Sequence, residues 1–403
     1  MKALVWHGKR DVRVDTVQDP AIQEPTDAII EVTSSGICGS DLHLYEVLTM
    51  FLNEGDILGH EPMGIVVAVG SEVGDLHVGD RVVVPFNISC GHCFMCDRQL
   101  FAQCETTQVT EQDKGAALFG YTELYGSVPG GQAELLRVPH ADFGPIKVGN
   151  ELPDDRYVYL SDVLPTAWQA VDFADIPDGG SVVVIGLGAI GQMASRIARH
   201  RGAGLVIGVD LVPERLAMAR RHGIDTIDAS AITGDEVLAE IRHRTAGRGP
   251  DSAIDAVGME AHGSPILERM QKAAGVFPDR IASALTERFG VDRLAALVLA
   301  FDAVRRGGTV SVIGVYGGMK DPLPMMTMFD KGLSIRMGQA HVKRWIPDLL
   351  PLVEADDDPL GTMDLATHHV TLDEAPGAYR DFQAKNDGMV KAVITNSAFA
   401  STQ

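Results

Sequence analysis

The chain has 403 residues, enough for two domains that each bury a core of their own. Its 45% hydrophobic and 22% charged content is that of a water-soluble globular protein. With 34 Lys and Arg against 55 Asp and Glu the formal charge is −21, which argues against nucleic acid or an anionic membrane as the main partner. Met1–Arg10 carries charge with no leader-type apolar run behind it, and no stretch of about 18 apolar residues is present to cross a bilayer. Five cysteines, four of them clustered, do not make a disulfide framework. A reducing cytoplasm is the expected setting.

In chain order, the first ~150 residues read as short strands between glycine turns. Ala28–Thr33, Met63–Val69 and Arg81–Pro85 are the clearest, with turns at Gly74-Asp75 and Gly79-Asp80. This predicts a compact, mostly antiparallel β domain. From Ser181 the rhythm changes. Ser181–Ile185 is a continuous apolar run of the kind buried in a parallel sheet, followed by a helix over Ala189–His200 and a strand over Leu205–Val209. Pro213 opens the next helix, through His222. Further strands are predicted at Ser252–Ala256, Thr309–Gly314 and Leu333–Arg336, with extra helices between Gly263 and Arg306. A helix over Trp345–Glu354 and a strand over Met389–Ile394 close the chain. Alternating apolar strands and helices predict a doubly wound α/β sheet.

Within the β region, Cys90, Cys93, Cys96 and Cys104 read Cys-x2-Cys-x2-Cys-x7-Cys, with Gly91 to bend the backbone. Four thiolates close a tetrahedron around one zinc ion and leave no open position for substrate, so the site braces a loop and does no chemistry. The spacing to Cys104 is long for an iron–sulfur run, and no Cys-Pro follows. Cys38 is left over.

Gly186-Leu-Gly188-Ala189-Ile190-Gly191 follows the Ser181–Ile185 strand and opens a helix. Such a turn lets a pyrophosphate approach the helix N-terminus. Asp210 ends the second strand, where a carboxylate accepts from ribose hydroxyls and repels a 2′-phosphate, so NAD is favoured over NADP. Arg215, one turn further, is the residue that speaks for the phosphate.

Cys38-Gly-Ser40-Asp41-Leu-His43 and Gly59-His60-Glu61 add zinc-type ligands. Taken singly, a cysteine and a histidine are by default core or surface residues. Taken in order with the four-cysteine lobe, Gly186–Gly191 and Asp210, they make the chain resemble the zinc-containing medium-chain alcohol dehydrogenase superfamily from Met1 to about Thr395. Pro85–Cys90, Gly130–Glu134, Leu160–Thr166 and Asp255–Gly263 are most similar to the glutathione-independent formaldehyde dehydrogenase branch. The resemblance implies a GroES-like, mostly β catalytic domain over 1–165, a Rossmann cofactor domain over 166–340, and a return to the catalytic domain over 341–403. It also implies a homodimer or homotetramer, and two zinc ions per chain with NAD.

On the same basis, the catalytic zinc is held by Cys38, His60 and a third residue that is often cysteine. Here the matching position is Asp162, in agreement with the absence of a sixth cysteine. Glu61 serves as an occasional ligand or outer group. Asp41 is either the acceptor that orients His60 or a turn carboxylate. Ser40 takes the substrate's proton and passes it through the cofactor ribose to His43 near solvent. Thr166 and Val257 fall at cofactor positions, and Lys391 falls near the pyrophosphate, while Gly39 stands where some relatives have arginine. Trp168 suits the substrate pocket and the core equally. An alcohol or an aldehyde hydrate is the implied substrate. The alternatives are a secondary-alcohol or polyol dehydrogenase and, in a different class, a non-catalytic zinc-stabilised nucleotide-binding protein. Thr107–Gly131 resembles the extra loop of the formaldehyde branch, in which NAD can be retained through a dismutation.

Overall fold

The computed structural model describes residues 1–258, 294–316 and 323–396. It divides into two compact units, Met1–Gln169 with Gln339–Gln403, and Ala170–Gly338.

The first unit opens with a hairpin of β1 (Lys2–Gly8) and β2 (Asp11–Thr16). Next comes β3 (Ala28–Ile37), whose last residues lead into helix α1 (Gly39–Glu46). β4 (Pro62–Val69) pairs antiparallel with β3, and β5 (Arg81–Val83) with β4. β6 (Leu135–Val138) also pairs with β3, and β7 (Ile146–Lys147) with β5. Ile30, Val32, Val66, Val82, Val84, Leu136 and Val138 fill the space between these strands. Helix α2 (Val163–Ala174) follows.

In the second unit, β8 (Ser181–Ile185) is buried along its apolar run and leads through the glycine turn into α3 (Ala189–His200). β9 (Leu205–Asp210), α4 (Pro213–Arg221) with Pro213 in its first turn, β10 (Asp225–Asp228), β11 (Ser252–Asp255), β12 (Thr309–Val312), helix α5 (Met325–Lys331) and β13 (Ser334–Met337) complete it. The strand order is β10-β9-β8-β11-β12-β13, all parallel. The chain winds outward from β8 to one edge and then from β11 to the other. The turns after β8 and β11 therefore flank the point where a doubly wound sheet takes its ligand. Of the helices expected between Gly263 and Arg306, Ala295–Ala303 is present, and residues 263–293 lie outside the described residues.

The chain then returns to the first unit as α6 (Val342–Glu354), β14 (His368–Thr371), α7 (Ala375–Ala384) and β15 (Ala392–Thr395). β15 lies antiparallel to β3, with Ala392 opposite Ile37. This pairing brings β15 beside the segment that carries Cys38. Among the described residues no helix is long and apolar enough to cross a membrane.

Candidate active site and cofactor turn

The sheet ends place the ligands. Ser35 at the end of β3 pairs with Pro62 at the start of β4, and Gly36 N–H donates to the Glu61 carbonyl at 3.0 Å. Cys38, just past β3, therefore meets His60 and Glu61, just before β4. Phe86 N–H donates to the Ser161 carbonyl at 3.1 Å and brings Asp162 in from the start of α2. Ligand atoms of Cys38, His60, Glu61 and Asp162 all lie within 4.8 Å of one another. Cys38 Sγ is 3.9 Å from Asp162 Oδ2, and His60 Nε2 is 3.4 Å from the same oxygen.

These spacings suit tetrahedral zinc, whose ~2.0–2.3 Å bonds put neighbouring ligand atoms about 3.4–3.8 Å apart. Glu61 Oε1 is buried in the cluster with no hydrogen-bond partner, as expected of an oxygen that faces a cation. The charges also fit. Glu61 pairs with the buried Lys391 amine, so Cys38 and Asp162 remain to neutralise a dication. Burial, reinforced by Glu61, pushes the Cys38 thiol up, so its thiolate depends on a neighbouring cation. Burial opposes charge on His60, but Asp41 and then Asp162 outweigh it and hold its proton affinity well above the ordinary histidine range. A dication at Nε2 displaces that proton on uptake. Burial acts against the Asp162 carboxylate, and His60 then Thr166 overcome it and keep the carboxyl low.

Thr166 donates its hydroxyl to Asp162 Oδ1 at 2.5 Å, so it fixes a ligand from one turn along α2. Asp41 Oδ2 accepts the Cys38 N–H at 2.9 Å while Oδ1 faces His60 Nδ1 at 3.1 Å, off line for a hydrogen bond. The carboxylate thus both ties the N-terminus of α1 and favours the proton on Nδ1, which leaves Nε2 for the cluster. Ser40 and His43 stand three residues apart on α1, hence on one face.

Two expectations need correction. His43 is 6% exposed, not near solvent, because α1 is buried from Asp41 to Tyr45. Lys391, expected at a pyrophosphate, has its amine on Glu61, where β15 delivers it opposite the end of β3. Burial works against its charge, but Glu61 outweighs that and raises its proton affinity.

Tyr121 stands against the candidate site, where the motifs did not place it. Its ring stands edge-on to His60 at 6.4 Å, with Phe86 at the same distance and Tyr125 stacked edge-on behind at 5.5 Å. Gly120, at φ +56°, makes this possible, since a Cβ there would stand 2.5 Å from Gly59 N. The two glycine backbones abut and carry Tyr121 onto the residue after Gly59. Trp168 is buried six residues beyond Asp162.

The four-cysteine lobe holds its sulfurs within 4.8 Å, and Cys93 and Cys104 are 3.8 Å apart, the edge of a tetrahedron with ~2.3 Å Zn–S bonds. Cys90 N–H donates to Cys104 Sγ, Glu105 N–H to Cys93 Sγ, and the Thr106 hydroxyl to Cys90 Sγ. Burial opposes a thiolate at Cys93, but backbone N–H groups bring its pKa down to about 6. His341 Nδ1 accepts the Ala102 N–H at 3.1 Å, and burial holds this ring neutral, with a pKa of about 4.

In the second unit, Gly186 (φ +87°) packs on Val257, which a Cβ would meet at 2.6 Å, and a Cβ at Gly191 would overlap the Gly186 carbonyl. Gly188, by contrast, has open space apart from Arg215 at 3.8 Å. Packing does not demand that glycine, and the free face beside Ala189 and Ile190 at the start of α3 is where a pyrophosphate fits. Asp210 accepts N–H bonds from Leu187, Leu211 and Val212, and Arg215 Nη1 is 3.9 Å from its Oδ2.

Residues 24–148 match the family described as "Alcohol dehydrogenase GroES-like domain", and residues 189–277 match "Zinc-binding dehydrogenase". A zinc-type alcohol dehydrogenase-like protein of Bacillus subtilis, AdhB, is 40% identical over 98% of this chain and all of that protein. The chain belongs to the zinc-type alcohol dehydrogenase family. Another member, the glutathione-independent formaldehyde dehydrogenase of Pseudomonas aeruginosa, is 31% identical over 95% of both chains. Among solved structures, the alcohol dehydrogenase TADH from Thermus sp. ATN1 superposes with a TM-score of 0.80 at 33% identity, over 98% of this chain and all of that one. This zinc-type alcohol dehydrogenase is therefore a zinc-dependent oxidoreductase of small molecules, with a GroES-like unit and a doubly wound dinucleotide unit.

Proposed function

We propose that this dehydrogenase oxidises a small aldehyde, taken as its hydrate, or a short primary alcohol, with NAD as hydride acceptor. The observation that carries the reading is the Cys38–His60–Asp162 donor set with the Tyr121 ring standing against His60. The donors suit a catalytic zinc, and we take the Tyr121 ring as the wall that limits the substrate to few carbons. Bound zinc supplies Lewis acidity that lowers the pKa of a substrate hydroxyl, and NAD accepts the hydride. Asp41 orients His60, and Thr166 orients Asp162. Ser40 accepts the substrate proton by hydrogen bond and passes it through the cofactor ribose to His43, the buried terminal base of the relay. Asp210 supports NAD, and the guanidinium of Arg215 is drawn to that carboxylate and so is less available to a 2′-phosphate.

A homo-oligomer fits the edge of the second unit's sheet, where all four residues of β13 are exposed beside Met325, Met326 and Phe329 of α5. The formal charge of −21 makes nucleic acid and anionic membrane poor partners. Five cysteines free of disulfides suit a reducing cytoplasm.

The test is a substrate panel of formaldehyde, longer aldehydes, primary alcohols and secondary alcohols, each with NAD and NADP. We expect the highest kcat/KM for formaldehyde with NAD, and a gain of at least ~10-fold for longer aldehydes in Tyr121→Ala, which removes the wall. Activity confined to secondary alcohols or polyols, or a preference for NADP, would refute the reading.

A further inference from the structure

We infer that Gln132 and Tyr379 are positioning residues for the zinc ligand His60, acting through Asp41 along one buried chain of hydrogen-bond donors. The inference rests on the reading that Cys38, His60 and Asp162 hold zinc.

Gln132 is fully buried, and every polar atom it has is engaged. Its N–H donates to the Leu58 carbonyl at 3.0 Å, and its carbonyl accepts from Leu4 at 2.8 Å. Its side-chain Nε2 faces two groups that only accept, the Gly36 carbonyl at 3.1 Å and Asp41 Oδ2 at 3.4 Å. The amide orientation is therefore decided, and Oε1 must be the acceptor of the Tyr379 hydroxyl at 2.8 Å. Gly59 lets this residue approach the ligand segment. At φ +100° it is the residue before His60, and a Cβ there would stand 2.5 Å from Gln132 N. Tyr379 is also fully buried, on α7, with its ring against Tyr45 of α1 at 5.6 Å. Burial pushes its phenol well above the ordinary range, so it remains a donor.

The direction of the chain follows. Tyr379 donates to Gln132, and Gln132 donates to Asp41. With Oδ2 of Asp41 taken by Gln132 and by the Cys38 N–H, Oδ1 is the oxygen turned to His60 Nδ1. Without the amide donor only the Cys38 N–H still holds Oδ2, so the carboxylate is less constrained about its last bond and its charge is aimed less firmly at the ring. The pair joins residues 247 apart in sequence, and α7 contributes no metal ligand.

The holoenzymes of wild type and Tyr379→Phe decide the matter by zinc content, by the rate at which a chelator removes zinc, and by the visible spectrum after cobalt replaces the catalytic zinc. We expect two zinc per chain in both, with one lost about 10-fold faster in the variant and the other unchanged. The cobalt bands should shift, and kcat should fall with KM for NAD unchanged. Gln132→Met should behave alike. The double variant Gln132→Met with Tyr379→Phe leaves no stranded hydroxyl, so it should regain thermal stability while its zinc stays labile. If Tyr379→Phe does not fold, the double variant serves in its place. Wild-type chelation rates and cobalt bands in these variants, or zinc retention restored in the double variant, would show a role in folding alone and overturn the inference. A wild type with one zinc, unchanged by Cys38→Ala, would instead overturn the metal site on which it rests.

Discussion

A Cβ on Gly36 would overlap Glu61 Oε2 and stand 2.9 Å from Lys391 Nζ. The end of β3 is bare because a carboxylate and an amine occupy the side-chain volume there. Their mutual dependence makes a prediction at the scale of one residue. In Lys391→Met the Glu61 carboxylate is left buried without its partner, which costs about 3–5 kcal/mol. Urea denaturation of the holoenzyme measures it, and a loss below ~1 kcal/mol would mean that the pair is dispensable. At this scale the candidate ligands could be read from the chain, and the structure brings them together. Cys38, His60 and the four lobe cysteines have zinc chemistry in recognisable order, and Asp162 followed from the resemblance. Tyr121 and Gln132 were not singled out, and Lys391 was expected at the pyrophosphate instead, because nothing in a tyrosine, glutamine or lysine announces that a distant glycine has made room for it.

Several elements of the second unit were legible almost to the residue, although β10, the helix Gly234–Arg244 and α5 were not read from the chain. Ser181–Ile185 and Ala189–His200 fall where apolar run and glycine turn put them, since a strand buried on both faces has no polar positions to confuse its ends. The first unit was less so. β15 starts at Ala392, and Met389, Val390 and Lys391 precede it, because Lys391 turns inward to an ion pair where a strand residue was expected. The edge strand β14 carries a contact of its own. His369 lies 2.6 Å from Asp155, a pair bridging 214 residues, and the bond to Asp155 raises the histidine's pKa from 6.5. A raised folded-state pKa stabilises fully below about pH 6.5, and the gain fades as pH climbs through the elevated value. The thermal midpoint of wild type should therefore exceed that of His369→Gln in mild acid and converge with it in mild alkali. A gap that is constant or widens with pH would contradict the assignment.

For the whole molecule, β13 is the exposed border of a six-stranded parallel sheet, and Phe329 beside it is 81% exposed. Such an edge invites a second copy to continue the ladder. With copies paired through this edge, wild type is an oligomer in light scattering, and Met337→Asp should be a monomer that keeps its zinc. An unchanged mass would place the interface elsewhere. The same scale shows when the enzyme is completed. Glu61 waits for Lys391, and Gln132 waits for Tyr379, so the ligands near the beginning of the chain gain their frame only from its final segment. On the ribosome residues 1–169 emerge long before these partners, holding zinc-type ligands without the scaffold that disciplines them. A chain cut short before residue 379 should be open to adventitious metals. We expect faithful loading of zinc only once residues 379–391 have been made, with β15 acting as a latch on the frame of the ligands.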